Sequence, residues 1–181
     1  MPVICQLKVT LDGIRPPVWR RLLMSSNIRL DQLHAVIQAA FGWDDYHLHA
    51  FEAAGQRYSD PRLLDDLECV DEADVPLMAL APLPGKRFTY TYDFGDDWRH
   101  TIVVEKLLDT EPGLSYPQCI AGRRACPPED CGGPWGYAEL LAALAGPAHE
   151  QHVELSQWVG GSFDDAAFDL DQINADLAKL R

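Results

Sequence analysis

Phe88–Glu105 reads FTYTYDFGDDWRHTIVVE, two β-rich runs joined at Asp-Phe-Gly-Asp-Asp. Phe88, Tyr90 and Tyr92 alternate with Thr89, Thr91 and Asp93. Beyond the turn, Trp98, His100, Ile102 and Val104 alternate with Arg99, Thr101 and Val103. A period of two on both sides of an Asp- and Gly-rich turn predicts an antiparallel hairpin with one face in a core. The turn gathers Asp93, Asp96 and Asp97 with Arg99 and His100, so it is the first candidate for a functional surface.

Working outward, Val3, Cys5, Leu7, Val9 and Leu11 alternate with polar residues in a strand that Asp12-Gly13 ends. Pro16 and Pro17 exclude a ladder until Val18, and Val18–Met24 reads as a second strand. Arg20 and Arg21 lie on its opposite faces, so at least one must be part-buried against a carboxylate or an aromatic ring. Leu30, Leu33, Ile37 and Phe41 recur at helical spacing, and Gly42 suits a left-handed cap. Arg29 stands where a Ser or Thr cap is expected, which shifts the predicted cap to Ser26 or Asn27. Strand, strand, helix is a β-grasp-like opening. His47–Glu52 follows as a third strand with His47, His49 and Phe51 on one face.

Residues 53–85 read as an irregular acidic connection with a short strand or helical turn near Leu77–Ala81. Tyr116–Trp135, YPQCIAGRRACPPEDCGGPW, is too rich in Pro, Gly and Cys for regular structure, so its path must be set by tertiary contacts or a ligand. Leu140, Leu141 and Leu144, then Val153, Leu155 and Trp158, then Leu170, Ile173, Leu177 and Leu180 mark three helices, the last opened by Asp169 and Gln172 as a capping pair. The expected architecture is one α+β domain over residues 1–181, with a mixed or antiparallel sheet to residue 135 and a group of short helices from 136 packed on it.

A net charge of -13, with 28 acidic against 15 basic residues, opposes attraction to a phosphate backbone and favours a protein partner over nucleic acid. Counting Lys and Arg against Asp and Glu, residues 59–85 and 136–181 carry -6 each, residues 1–58 carry +1 and residues 86–135 carry -2. No apolar run has the length of a membrane span, and MPVICQLKVT lacks the order of a signal peptide, so the expected compartment is the cytoplasm. Five cysteines, an odd number without an export signal, read as reduced thiols.

Three constellations carry chemistry. Cys119, Cys126 and Cys131 share one loop. The second gap has zinc-knuckle spacing and the first is long, so a structural zinc would need a fourth ligand such as His100 or His47. His47 and His49, two apart on a strand, can hold a metal side by side, although such a pair beside Trp43 and Tyr46 is more often packed and hydrogen-bonded. The turn carboxylates with His100 could hold a divalent ion for hydrolysis, or could simply provide Asx hydrogen bonds and a residue tolerant of positive φ. The three glycine- and serine-based phosphate, dinucleotide and hydrolase motifs and His-Glu-x-x-His are missing from the sequence, which weakens the enzyme reading. The candidate binding surface is therefore Tyr92, Asp93, Asp97, Trp98, Arg99 and His100 with Arg123, Arg124 and Trp135, a groove that requires the turn and the cysteine loop to meet in space.

The order Arg15-Pro-Pro-Val-Trp-Arg-Arg21, Phe41-Gly-Trp43, His47-Leu-His49, Tyr92-Asp-Phe-Gly-Asp-Asp-Trp-Arg-His100 and Ala121-Gly-Arg-Arg-Ala-Cys-Pro-Pro-Glu-Asp-Cys-Gly-Gly133 resembles the plasmid pRiA4b ORF-3-like family, some members of which bear the label passenger TnpR-type protein of a mobile element. The resemblance implies a compact α+β fold and no settled activity. The recombinase that the label suggests lacks its residues here: Ser25 and Ser26 sit in a turn, and the C-terminal part is acidic where a DNA-binding helix pair would be basic. The reading that follows is a binding or accessory domain, with a metal-dependent hydrolytic enzyme and a structural zinc protein as alternatives.

Overall fold

The computed structural model describes residues 3–63 and 68–181. Its centre is one eight-stranded sheet. In chain order the strands are β1 (Val3–Leu11), β2 (Trp19–Ser25), β3 (His49–Ala53), β4 (Gln56–Ser59), β5 (Val70–Asp71), β6 (Arg87–Tyr92), β7 (Trp98–Asp109) and β8 (Gln118–Arg123). Across the sheet the order is β5-β4-β3-β6-β7-β1-β2-β8. Every pairing is antiparallel except β4 with β5.

The sheet is covered on one side. The hairpin register sets Tyr90 opposite His100, and its neighbours set Phe51 opposite Tyr90 and Leu11 opposite His100, so one row of side chains runs across four strands into the core. Cys5, Leu7, Val9, Leu22, Met24, Ile102 and Val104 extend that face. Helix α1 (Leu30–Phe41) lays Leu30, Leu33, Val36, Ile37 and Phe41 on it. Truncating one such leucine to alanine costs about 2–5 kcal/mol, because packed neighbours collapse only partly into the void.

Gly42 ends α1 with φ 81°, as its missing Cβ allows. The start differs from expectation. The cap is Arg29, not Ser26 or Asn27, and the work of a capping side chain falls to Gln32, whose Oε1 accepts from the Arg29 backbone N–H at 3.2 Å while the guanidinium pairs with Asp31.

The two arginines of β2 separate as strand alternation requires. Arg21 forms a bidentate pair with Glu105 at 2.6 and 2.9 Å. Arg20 is buried without a carboxylate. Its guanidinium donates to the carbonyls of Ala40, Trp19 and Arg123 and lies 5.1 Å from the rings of both Phe41 and Phe168. Gly122, opposite Arg20, is where Phe168 comes in, and a Cβ there would collide with that ring.

Three strands, β4, β5 and β8, lie where irregular chain was expected. β4 pairs with β3 through a two-residue turn at Ala54-Gly55, and β8 runs through the start of the cysteine loop. Within residues 53–85, a single helical turn, α2 (Leu77–Leu80), falls where a short element was expected; the acidic Asp65 and Asp66 lie outside the described residues. The C-terminal helices are α3 (Gly133–Ala145), α4 (His152–Trp158) and α5 (Leu170–Ala178). Asp169 caps α5 by accepting from Gln172 N–H at 2.9 Å, and Asn174 from the same helix hydrogen-bonds both backbone groups of Cys119, covering the outer edge of β8.

Candidate functional site

The β6–β7 turn and the cysteine loop meet. Gly132 N–H donates to Asp96 Oδ2 at 3.1 Å, and Gly133, at φ 68°, sits so close to the Asp96 carbonyl that a Cβ would not fit. From β3's side, Trp43 Nε1 donates to the Pro127 carbonyl at 3.0 Å. Tyr92 links all three pieces: its hydroxyl accepts from Tyr46 N–H at 3.0 Å and donates to Glu129 Oε1 at 3.1 Å. Burial, and then the charge of Glu129, push that phenol well above its ordinary range, so it is fixed as a donor.

The turn itself is built by aspartate. Asp93 Oδ1 accepts from Gly95 N–H at 2.9 Å, and Asp93 and Asp97 adopt φ of 54° and 53°, the left-handed region that Asp tolerates better than most residues. The positive φ is at these two aspartates and not at Gly95, where the sequence pattern places the tolerant residue.

At this junction ligand-type atoms of His47, Asp93 and Asp130 lie within 4.8 Å of one another, with Glu129 beside them. His47 Nε2 lies 3.0 Å from Asp130 Oδ1, 3.7 Å from Asp93 Oδ2 and 3.9 Å from Glu129 Oε2. Asp93 commits Oδ1 to Gly95 N–H and turns Oδ2 toward the imidazole, whereas Glu129 accepts from Asp44 N–H through Oε1 and from the Tyr92 hydroxyl through both oxygens. Nε2 is buried and none of the three carboxylates is in line to hydrogen-bond it. No lysine or arginine pairs with Asp93, Glu129 or Asp130 among the described residues.

A second histidine–carboxylate group lies deeper. His34 of α1 and His49 of β3 stack with centroids 3.4 Å apart and planes within 4°. His34 Nδ1 bonds the Tyr90 hydroxyl at 2.8 Å and Nε2 bonds Asp45 Oδ1 at 2.8 Å; His49 Nε2 faces both oxygens of buried Glu72 at 2.9 and 3.0 Å. Gln38 donates to the same Tyr90 hydroxyl at 2.9 Å. Burial is the main cause that depresses His34 below the ordinary histidine range. Rings stacked face to face cannot share a metal, because imidazole coordinates in its own plane and these planes are parallel. His47 and His49, two apart in sequence, thus take different partners and not a common one.

The other sequence candidates are scattered by strand alternation. Tyr92, Trp98 and His100 are fully buried, while Trp135 is 86% exposed, so the groove expected between Trp98, Tyr92 and Trp135 does not form. His100 meets Phe41 and Trp43 at 88° and 84°, and its burial holds its pKa down at about 3. Arg99 and Arg123 project from the opposite, open face of the sheet, and Arg124 pairs with Asp165. Asp97 lines a hollow of about 250 Å³ on that open face with Phe94, Arg57 and Arg99.

The three loop cysteines do not converge with any third ligand among the described residues. Cys119 Sγ donates to the Ala121 carbonyl at 3.4 Å. Burial raises all three thiols, that of Cys131 to about 12 with Asp96, Asp130 and Glu129 adding to the effect. Glu129 and Asp130 were missed by sequence reasoning. Their Pro-Pro-Glu-Asp-Cys context was legible as a turn, but nothing in it announced that two carboxylates would face a histidine eighty residues earlier.

A one-sided mixed sheet carrying a ββα opening, with an Asp-built turn locked to a Gly- and Cys-rich loop, defines an α+β class whose distinctive feature is this junction. The chain belongs to the plasmid pRiA4b ORF-3-like protein family, whose model matches residues 3–172. It is 42% identical over 173 residues to the uncharacterized protein y4hQ of Sinorhizobium fredii, covering 94% of this chain and 89% of that protein. It is also similar to the crystal structure of MM3350, a protein of unknown function from Methanosarcina mazei, with TM-score 0.84 and 36% identity over 94% of this chain and 97% of the other. Among the described residues no helix is long and apolar enough to cross a membrane.

Proposed function

We propose that this chain is a metal-dependent binding domain, whose working surface is the junction of the Asp93–Asp97 turn with the Glu129–Gly133 end of the cysteine loop. The single observation that carries the reading is the unpartnered His47 Nε2 facing Asp93 Oδ2 and Asp130 Oδ1, neither of which accepts another hydrogen bond, with Glu129 Oε2 beside them. Ligands about 2.0–2.2 Å from one ion lie roughly 3.0–3.6 Å from each other in octahedral or tetrahedral geometry, and the spacings of 3.0, 3.7 and 3.9 Å are close to that. An ion on the in-plane axis of Nε2 takes its other ligands off that axis, which is where these oxygens lie. One imidazole with carboxylates suits a borderline divalent ion, zinc or manganese, better than calcium or magnesium. The five unpaired thiols support a reducing, cytoplasmic setting, and a link to plasmids or other mobile elements rests on the family description.

The test is elemental analysis of protein purified without added metal, followed by calorimetric titration with Zn²⁺ and Mn²⁺. One equivalent is expected to bind, with at least a 100-fold loss of affinity in His47→Ala. No binding, or equal binding by His47→Ala, would overturn the proposal.

A further inference from the structure

We infer that the uncovered face of the sheet docks an acidic polypeptide segment of a partner protein. The helices occupy the other side, and the open face is built by the alternate residues of the strands. Lys8 of β1, Arg21 and Trp19 of β2, Arg99 of β7, Arg87 of β6 and Arg123 of β8 share it, with Arg57 at its β4 margin. Among the described residues its acidic ones are Glu105 and Glu52, which pair with Arg21 and Arg57, with Asp12, Asp97 and Glu68 at the rim. Lys8, Arg87, Arg99 and Arg123 have no carboxylate within ion-pair distance among the described residues. In a chain of 28 acidic and 15 basic residues, four unpaired cations on one face are a segregation of charge, not a sample of the surface.

The spacing selects the occupant. Neighbouring strands lie about 4.8 Å apart and residues rise about 3.3 Å, so Lys8 and Arg87, two strands apart, stand roughly 10 Å from each other, and Arg99 lies further along β7. That is too wide for one small anion and fits an extended chain whose alternate carboxylates fall about 7 Å apart. A phosphodiester strand has a similar charge spacing, but two features disfavour it. The ring of Trp19 is already covered by the Lys8 ammonium and the Arg21 guanidinium at 5.1 and 5.2 Å, which removes the stacking platform that single-stranded nucleic acid uses. The net charge of -13 also repels a long polyanion more than a short segment with few charges.

The experiment is fluorescence anisotropy with a labelled twelve-residue peptide of alternating Glu and Val, against oligo(dT) of twelve nucleotides and a Gln/Val peptide. The acidic peptide is expected to bind, to weaken at least tenfold in Arg87→Glu/Arg99→Glu, and to lose most affinity between 50 and 500 mM salt. Arg29→Glu, on the helical side, should bind as the unaltered protein does. Circular dichroism checks that the exposed double variant is folded, and Arg123→Glu gives a second, single-site reading. Preference for oligo(dT), equal binding of the Gln/Val peptide, or an unchanged affinity in both charge-reversed variants overturns the inference.

Discussion

Two histidine–carboxylate groups lie within a short stretch of this chain, and they differ in what their ring nitrogens find. His34 and His49 stack under α1, with the Tyr90 hydroxyl, Asp45 and Glu72 meeting their nitrogens at 2.8 to 3.0 Å. His47 stands among Asp93, Glu129 and Asp130 with Nε2 unbonded and no lysine or arginine paired with them among the described residues. The first group has its hydrogen bonds satisfied internally, so it ties the helix to the sheet. The second leaves its strongest donor atoms free, so it is suited to an ion from outside. Proximity of His to Asp and Glu does not separate these roles; completeness of the hydrogen bonding does.

The sharpest break between them is in stability. His49→Ala leaves Glu72 buried without its partner, and such an orphaned carboxylate in a packed site costs about 3–5 kcal/mol. His47→Ala, in metal-free protein, removes an imidazole whose Nε2 makes no hydrogen bond, so it orphans no buried partner and should change stability by less than about 1 kcal/mol. Urea unfolding of both variants measures the contrast, and equal losses would erase it.

Acid separates them next. His100 is held at about 3 against an ordinary 6.5, and His34 is lowered too, each chiefly by burial. Between those two values the unfolded chain binds protons that the folded chain refuses, so the stability these histidines contribute falls as pH drops below about 6.5, and for His100 the fall ends near 3, where the paired carboxylates Asp31, Asp45 and Glu105, held low by their partners, add a loss of their own. At 1.36 kcal/mol per unit, His100 alone contributes a loss of about 3 kcal/mol by pH 4. Replacing His100 by a neutral residue of similar shape, as in His100→Phe, should flatten that part of the curve. A pH profile as steep as that of the unaltered protein would show that other groups carry the acid response.

The sequence exposed one of these regions better than the other. Strand alternation in Phe88–Glu105 and in Val3–Leu11, and the helical stripe from Leu30 to Phe41, determine the one-sided sheet and the residues at its centre, because each is a local repeat read against a single core. β8 was hidden because its pairing with β2 overrides a local composition unfavourable to strands, with a register irregularity between Arg21 and Leu22. For the site, the Asp93 turn and its contact with the cysteine loop were legible. The alternation that identified Tyr92, Trp98 and His100 also required them to point inward, and the surface reading overlooked that consequence. Glu129 and Asp130 reach His47 only through the tertiary path of a loop whose geometry no local pattern encodes.

Metal should sharpen the comparison in the opposite direction from the alanine variants. An ion that binds the folded chain alone stabilises it by about 2.7 kcal/mol at a hundred times its dissociation constant. Thermal unfolding with and without Zn²⁺ should show this in the unaltered protein and in Asp45→Asn, where the His34 contact is weakened but the junction is intact. His47→Ala should show no shift. A zinc shift retained in His47→Ala but lost in Asp45→Asn would move the ion to the deeper group.

The smallest effect tests how the junction divides its labour. Asp130 is largely exposed, sits at φ 56° and contributes to no other hydrogen bond in the junction, whereas Asp93 and Glu129 each hold the turn or the loop with a second oxygen. Asp130→Asn keeps the shape and tolerates the left-handed backbone, so its cost should be confined to the ion. Loss of one charged ligand of several is expected to weaken Zn²⁺ about tenfold, close to 1.4 kcal/mol, with metal-free stability unchanged within about 0.5 kcal/mol. Asp93→Ala removes a ligand and also the acceptor for Gly95 N–H, so it should lose stability together with affinity. If the two variants behave alike in both measurements, the carboxylates are interchangeable surface charges and the geometry around His47 is not a designed coordination set.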